Sequence, residues 1–180
     1  MQLVGSLKGF LNRFRKDEEA SATVEFVILV PMVLWLVFSV IEAGWLATQQ
    51  TMLNRGLNLA IRDLRLGRLT NPTSDDIKQE ICDYAGILKN CMSTLTLELA
   101  EIDNPIGGLS ATCVDRTTAI EPVVTFDAGS HIDQDIMFVR ACFVMDPLIP
   151  GAGFGAALPK DASGGFHLVA FGAFVNEPGA

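Results

Sequence analysis

The sequence predicts an α+β chain: one long N-terminal helix, then a small domain with a second helix and an antiparallel sheet of three to four strands. Three observations predict it. Residues 26–41 carry no charge, so the chain opens on an apolar helix of membrane-spanning length. Leu53, Leu57, Ala60, Ile61 and Leu64 then recur at intervals of three and four, which continues the helix with one apolar stripe. Further along, the pattern changes to alternation and to short apolar runs, and helices followed by strands argue for a helix-on-sheet layer.

The apolar run from Phe26 to Ile41, continued past Glu42 by residues 43–47, is about 20 to 22 residues or roughly 30 Å of helix, the thickness of a bilayer core. A lone span in lipid must satisfy its own backbone hydrogen bonds, and a helix does so. Pro31 costs little if the helix starts close before it and kinks the helix otherwise. Trp45 suits an interfacial anchor at the far end. The run is longer than a secretory signal core and lacks a small-residue cleavage site after it, so the helix is expected to be retained. The expected organisation is a leader over 1–20, a transmembrane helix over 21–47 and an exported domain over 48–180.

Gly67 followed by Asn71-Pro72 ends the long helix. Thr73 with Asp75 and Asp76 reads as an N-cap and acidic first turn, starting a second helix that reaches about Ala85. In Ser93 to Leu99, Leu95, Leu97 and Leu99 share one strand face. Ile136 to Met145 is apolar on both faces, as a central strand should be. Gly165 to Val175 is a third strand and Pro122 to Phe126 a weaker fourth; the Gly- and Pro-rich stretches 104–108 and 147–159 connect them.

Formal net charge is -8, and from Thr48 onward nine Lys and Arg stand against sixteen Asp and Glu. So acidic a domain repels phosphate backbones, which argues against nucleic acid as a partner. Arg55, Arg62, Arg65 and Arg68 form a basic cluster, expected as a solvated helix face near headgroups, with lipid phosphate or a partner protein as alternatives. Lys8, Arg13, Arg15 and Lys16 before the span are balanced by these four, so the positive-inside count is close to a tie. The cysteines decide orientation. Cys82, Cys91, Cys113 and Cys142 all follow the span, an even number suited to two disulfides in an oxidising compartment. A cytoplasmic N-terminus and an exported domain in an oxidising compartment follow. Four cysteines allow three pairings, and sequence alone does not choose between them. The expected pairs are Cys82–Cys91, closing a short helix-to-strand turn, and Cys113–Cys142, pinning a loop to the central strand.

Glu25 sits at the mouth of the apolar run, where a carboxylate needs a proton, a partner or a route to the interface. A snorkelling boundary residue is the plain reading. The polar stretch 13–19, the small residues after it, Glu25-Phe26 and the helix with an early proline together resemble the prepilin-type signal of type IV pilins. That resemblance implies cleavage between Ala20 and Ser21, which places Glu25 fifth and Phe26 sixth in the mature chain; the departure is Ala20 where the family prefers Gly. It also implies a role for Glu25: pairing with the new α-amino group of a neighbouring subunit and so setting helix register, since a buried unpaired charge is costly.

Thr23 to Pro31, Ile41 to Gly44, Met52 to Gly56 and Arg62 to Gly67 together resemble the TadE-like family, pseudopilins of the tight-adherence (Tad, or Flp) pilus machinery. Val139 to Cys142 with Pro147, and Phe174 to Pro178, are similar to that family's late strands. The resemblance implies a pilin-like fold and a part in pilus assembly and cell adhesion. It implies as partners other pilins and pseudopilins, inner-membrane pilus assembly proteins, a prepilin peptidase and membrane lipid. An uncleaved single-pass scaffold of an envelope machine is the alternative. Glu42, about 25 Å along the helix from Glu25, reads as a surface carboxylate at the outer boundary or as a register contact with a neighbouring helix.

No enzyme motif is present: no P-loop, no dinucleotide fingerprint, no zinc-protease helix, no C-x-x-C and no nucleophile elbow. Ser130, His131 and Asp133 crowd together as a polar loop. Asp127, Asp133 and Asp135 lack the Gly and Glu of a calcium loop. His167 reads as a structural histidine on a strand. Neither catalysis, metal nor cofactor is expected.

Overall fold

The computed structural model describes residues 18–69, 72–101, 113, 136–149 and 153–175. Its elements are α1 (Glu18–Arg65), α2 (Ser74–Ala85), α3 (Cys91–Thr94), β1 (Leu95–Glu101), β2 (Ile136–Met145), a 3-10 turn (Phe154–Ala156) and β3 (Phe166–Val175). The expected α+β arrangement is present, with three antiparallel strands in the order β1-β2-β3. The proposed fourth strand, Pro122 to Phe126, lies outside the described residues.

α1 is a single helix of 48 residues, about 72 Å long. Because it starts at Glu18, Pro31 is interior rather than near its beginning, and the carbonyl of Val27 lacks its usual N–H donor. Three of the hydroxyls along it are satisfied locally. The hydroxyls of Ser39, Thr48 and Thr51 donate to the carbonyls of Trp35, Gly44 and Ala47 at 2.7–2.8 Å. The helix ends in a Schellman motif: the Arg68 N–H donates to Asp63 O, the Gly67 N–H donates to Leu64 O, and Gly67 takes φ +63°. Thr73 and Asp76 form a capping box at the start of α2. Gly86, also at φ +63°, ends that helix with its N–H on Cys82 O.

Alternation along the strands sorts the sheet into two faces. Leu95, Leu97 and Leu99 of β1, Met137, Val139, Ala141 and Phe143 of β2, and Phe166 and Ala170 of β3 face α1 and α2 and are buried. There they meet Leu53, Leu57, Ala60 and Ile61 of α1 with Ile77, Ile81 and Ala85 of α2, in one core cluster. Gln50 ties α1 to the sheet by donating from Nε2 to the Val169 carbonyl at 2.9 Å. The opposite face is covered as well: Thr96, Glu98, Arg140, Cys142 and Val144 are all buried. That two-sided burial is why β2 reads as an unbroken apolar run.

The crossing of α1 and α2 depends on Gly56. A Cβ there would stand 2.6 Å from the Ile81 carbonyl oxygen and 3.3 Å from the Ala85 Cβ, and helix backbone has little room to yield. Gly56→Val is expected to destabilise the full chain by about 1–3 kcal/mol, the usual cost of overpacking. A thermal melt in detergent checks it; an unchanged midpoint removes the close-crossing argument.

Candidate functional site

The candidate site is α1 itself, which has two unlike halves. From Val24 to Ile41 all its large apolar side chains but the half-buried Val30 stand exposed, Phe26 at 66% and Val40 at 72%. Among the described residues this is the one helix long and apolar enough to cross a membrane. From Glu42 onward the same helix is the spine of the folded domain. Ala22 to Ile41 is 20 residues, about 30 Å, so the uncovered half has the length of a bilayer core.

Glu25 and Phe26 lie exposed at the far end of this uncovered half. Ala20 and Ser21, the expected processing pair, lie in the opening turns of α1, and residues 1–17 fall outside the described set.

Glu42 departs from the surface carboxylate expected of it: it is fully buried, at 0% exposure. The Gly155 N–H donates to its Oε2 at 2.6 Å, and the Ile149 N–H reaches Oε1 at 3.5 Å. Two glycines bring that backbone down onto the helix. Gly153 has φ +77°, and a Cβ there would stand 2.8 Å from Glu42 Oε2. A Cβ on Gly155 would overlap the carboxylate itself. The carboxylate is thus engaged within its own chain, as a latch that holds the 3-10 turn against α1 at Phe38 to Glu42. Burial without such donors would be prohibitive.

The disulfides join Cys82 to Cys91 and Cys113 to Cys142, each with 5.7 Å between Cα atoms. The first ties α2 to α3 ahead of β1. The second fastens Cys113 to the face of β2 turned away from α1. Each such link stabilises a small domain by about 2–4 kcal/mol, mainly by restricting the unfolded chain.

Two polar clusters went unnoticed in the sequence. Glu98 of β1 and Arg140 of β2 are register partners and form a buried ion pair at 2.9 Å. Asp63, at the end of α1, accepts from the Tyr84 hydroxyl at 2.5 Å and from Arg68 at 2.8 Å, which joins α1 to α2. The hydrogen bond from Tyr84 is the main cause that holds the Asp63 carboxyl below its ordinary range, with Arg68 adding to it against the effect of burial. The same bond raises the Tyr84 hydroxyl above its ordinary value. Depression of Asp63 supplies stability above its unfolded value of about 3.9, lost as pH falls through the lower folded value; elevation of Tyr84 supplies stability below about 10, lost as pH rises through the higher folded value. The stability gap between the parent chain and Asp63→Asn should therefore close on acidification below about pH 4. Melting curves at stepped pH check this, and a constant gap contradicts it.

Of the basic cluster, Arg55, Arg62 and Arg65 lie on α1, and Arg68 follows its end and pairs with Asp63. His167 lies on β3, exposed, 3.8 Å from Asp161. Ser130, His131, Asp127, Asp133 and Asp135 lie outside the described residues. Among the described residues, no group of three or more His, Cys, Asp or Glu is placed to hold a metal ion.

Residues 20–62 match the family model described as TadE-like protein. The matched stretch is α1 almost to its end, including Glu25, Phe26, Glu42 and Gly56; the late-strand segments that also suggested the family lie beyond it. No curated protein and no solved structure matches the chain.

Proposed function

We propose that this chain, TadE-like over residues 20–62, is a pseudopilin or minor pilin-like protein that assists assembly of a tight-adherence pilus. The observation that carries the reading is the division of α1: an uncovered apolar half continuous, in one helix, with the spine of a folded domain. A helix of this form transmits position. Whatever the uncovered half packs against in the membrane sets the height and rotation of the outer domain, because no joint intervenes and Glu42 locks the domain to the helix at the boundary. The work done is packing, not catalysis. Its partners are the membrane helices of other pilin-like subunits and the inner-membrane assembly proteins that gather them. The chain lies in the inner membrane with its N-terminus cytoplasmic and its disulfide-linked domain periplasmic.

Glu25 supports the reading from the other end. A carboxylate exposed beside an apolar helix is costly in hydrocarbon unless a charge meets it. Cleavage between Ala20 and Ser21 supplies that charge on a neighbouring subunit.

The test is the N-terminus of protein recovered from membranes. A start at Ser21 that disappears when the prepilin peptidase is deleted supports the pseudopilin; an intact Met1 in both strains favours an uncleaved scaffold. Glu25→Ala is expected to reduce piliation at least tenfold while membrane insertion stays normal, the equivalent of about 1.4 kcal/mol or more in subunit docking. Normal piliation in that variant contradicts the register role.

A further inference from the structure

We infer that the domain rests on the bilayer through an apolar cleft at the foot of α1, which takes a phospholipid from the outer leaflet. This rests on the reading of α1 as a membrane span. The cleft has a volume of about 460 Å³ and is walled by Leu46 of α1, Phe154 and Leu158 of the loop before β3, and Phe166 and Leu168 of β3, with Lys160 also lining it. The volume falls in the range of small-molecule sites, roughly 300–1,000 Å³.

The position of the cleft names its occupant. Gly153 lies level with Phe38 to Glu42, at the last turn of the uncovered half of α1. Leu46 is five residues beyond Ile41, about 7 Å further along the axis. Each interfacial layer of a bilayer is about 5–8 Å thick outside its hydrocarbon core, so the cleft opens at headgroup depth. Phe154 and Leu148, both exposed, extend the apolar surface of the span sideways at the same level. An acyl chain fits the apolar walls, and the Lys160 ammonium on its flexible stem is the cation for the phosphate. Asp161 also lines the cleft, but its Oδ1 accepts from the Ser163 N–H, the Ser163 hydroxyl and the Gly165 N–H, which holds it to its own loop.

The experiment is depth-dependent fluorescence quenching of the full-length chain in phosphatidylethanolamine and phosphatidylglycerol vesicles, with acyl chains brominated near the headgroup or near the bilayer centre. In a Trp45→Phe chain, whose remaining tryptophan is Trp35, deep bromines should quench it. In a Trp35→Phe, Trp45→Phe background, Phe154→Trp should be quenched more by shallow than by deep bromines, and Leu66→Trp, at the distal end of α1, by neither. Adding Leu158→Asp to the Phe154→Trp chain should return its quenching toward the level of the Leu66→Trp chain, with unchanged circular dichroism as the check on folding. Quenching of Trp35 without quenching at position 154 overturns the inference and leaves the span standing. Equal quenching with and without Leu158→Asp overturns the lipid-filled cleft. Absence of quenching at both Trp35 and position 154 overturns the span and the inference together.

Discussion

Arg140→Met alone is expected to cost the folded chain about 3–5 kcal/mol, the usual penalty for removing one member of a buried ion pair. Arg140 lies near the middle of the central strand, directly across from Glu98, and both side chains are buried on the sheet face turned away from α1. Without the guanidinium, Glu98 keeps a desolvated carboxylate and loses the counter-charge at 2.9 Å; among the described residues its Oε1 already accepts no hydrogen bond. The paired replacement separates charge from packing. Glu98→Leu with Arg140→Met removes both charges and fills the space with apolar atoms, so the double variant should recover most of the loss or exceed the parent by about 1–4 kcal/mol. Denaturant titration of the detergent-solubilised full chain measures all three. A single variant as stable as the parent contradicts the buried-pair argument, and a double variant no better than the single contradicts its electrostatic basis.

Glu42→Ala should release the loop before β3 from α1 while leaving the sheet folded. The substitution removes the acceptor that Gly155 uses at 2.6 Å, and a hydrogen bond to a charged group contributes about 1.5–3 kcal/mol. The effect is local, so the reading is amide exchange rather than global melting. Exchange at Gly155 should accelerate by about 10- to 100-fold, as a loss of that size implies, whereas amides of β2 should stay protected. Glu42→Gln keeps a carbonyl oxygen in place and should fall between the two. Unchanged exchange at Gly155 in the alanine variant rules out the latch. The consequence for assembly is specific: with the latch open, the outer domain loses one of its fixed points on the helix that positions it.

Sequence legibility follows the distance over which each signal acts. The N-cap at Thr73, the glycine stop at Gly67 and the alternation of Leu95, Leu97 and Leu99 involve neighbours within a few residues, and each is present as expected. Solid hydrophobicity from Ile136 to Met145 indicated the central strand because burial on both faces leaves that mark. The fate of Glu42 was not legible in this way. Its partner Gly155 is 113 residues away, and nothing local distinguishes a carboxylate facing solvent from one capped by a returning loop. A faint signal existed in the spacing of Gly153 and Gly155 before an apolar strand, which marks backbone approaching something closely. Arg140 offered a stronger one: a lone charge within the apolar run of a central strand requires a buried partner, and Glu98 is the lone charge amid the alternating leucines of β1.

The uncovered half of α1 is the part on which the proposed assembly role turns, and site-specific photo-crosslinking in living cells tests it most directly. A benzophenone side chain placed at Leu29 or Val33, both exposed in the apolar segment, reports what the helix touches in the membrane. The expected result is covalent adducts to the membrane helices of other pilin-like subunits, lost when Glu25→Ala is introduced. Adducts to lipid alone, or protein adducts indifferent to Glu25, contradict the role of this helix as an assembly element.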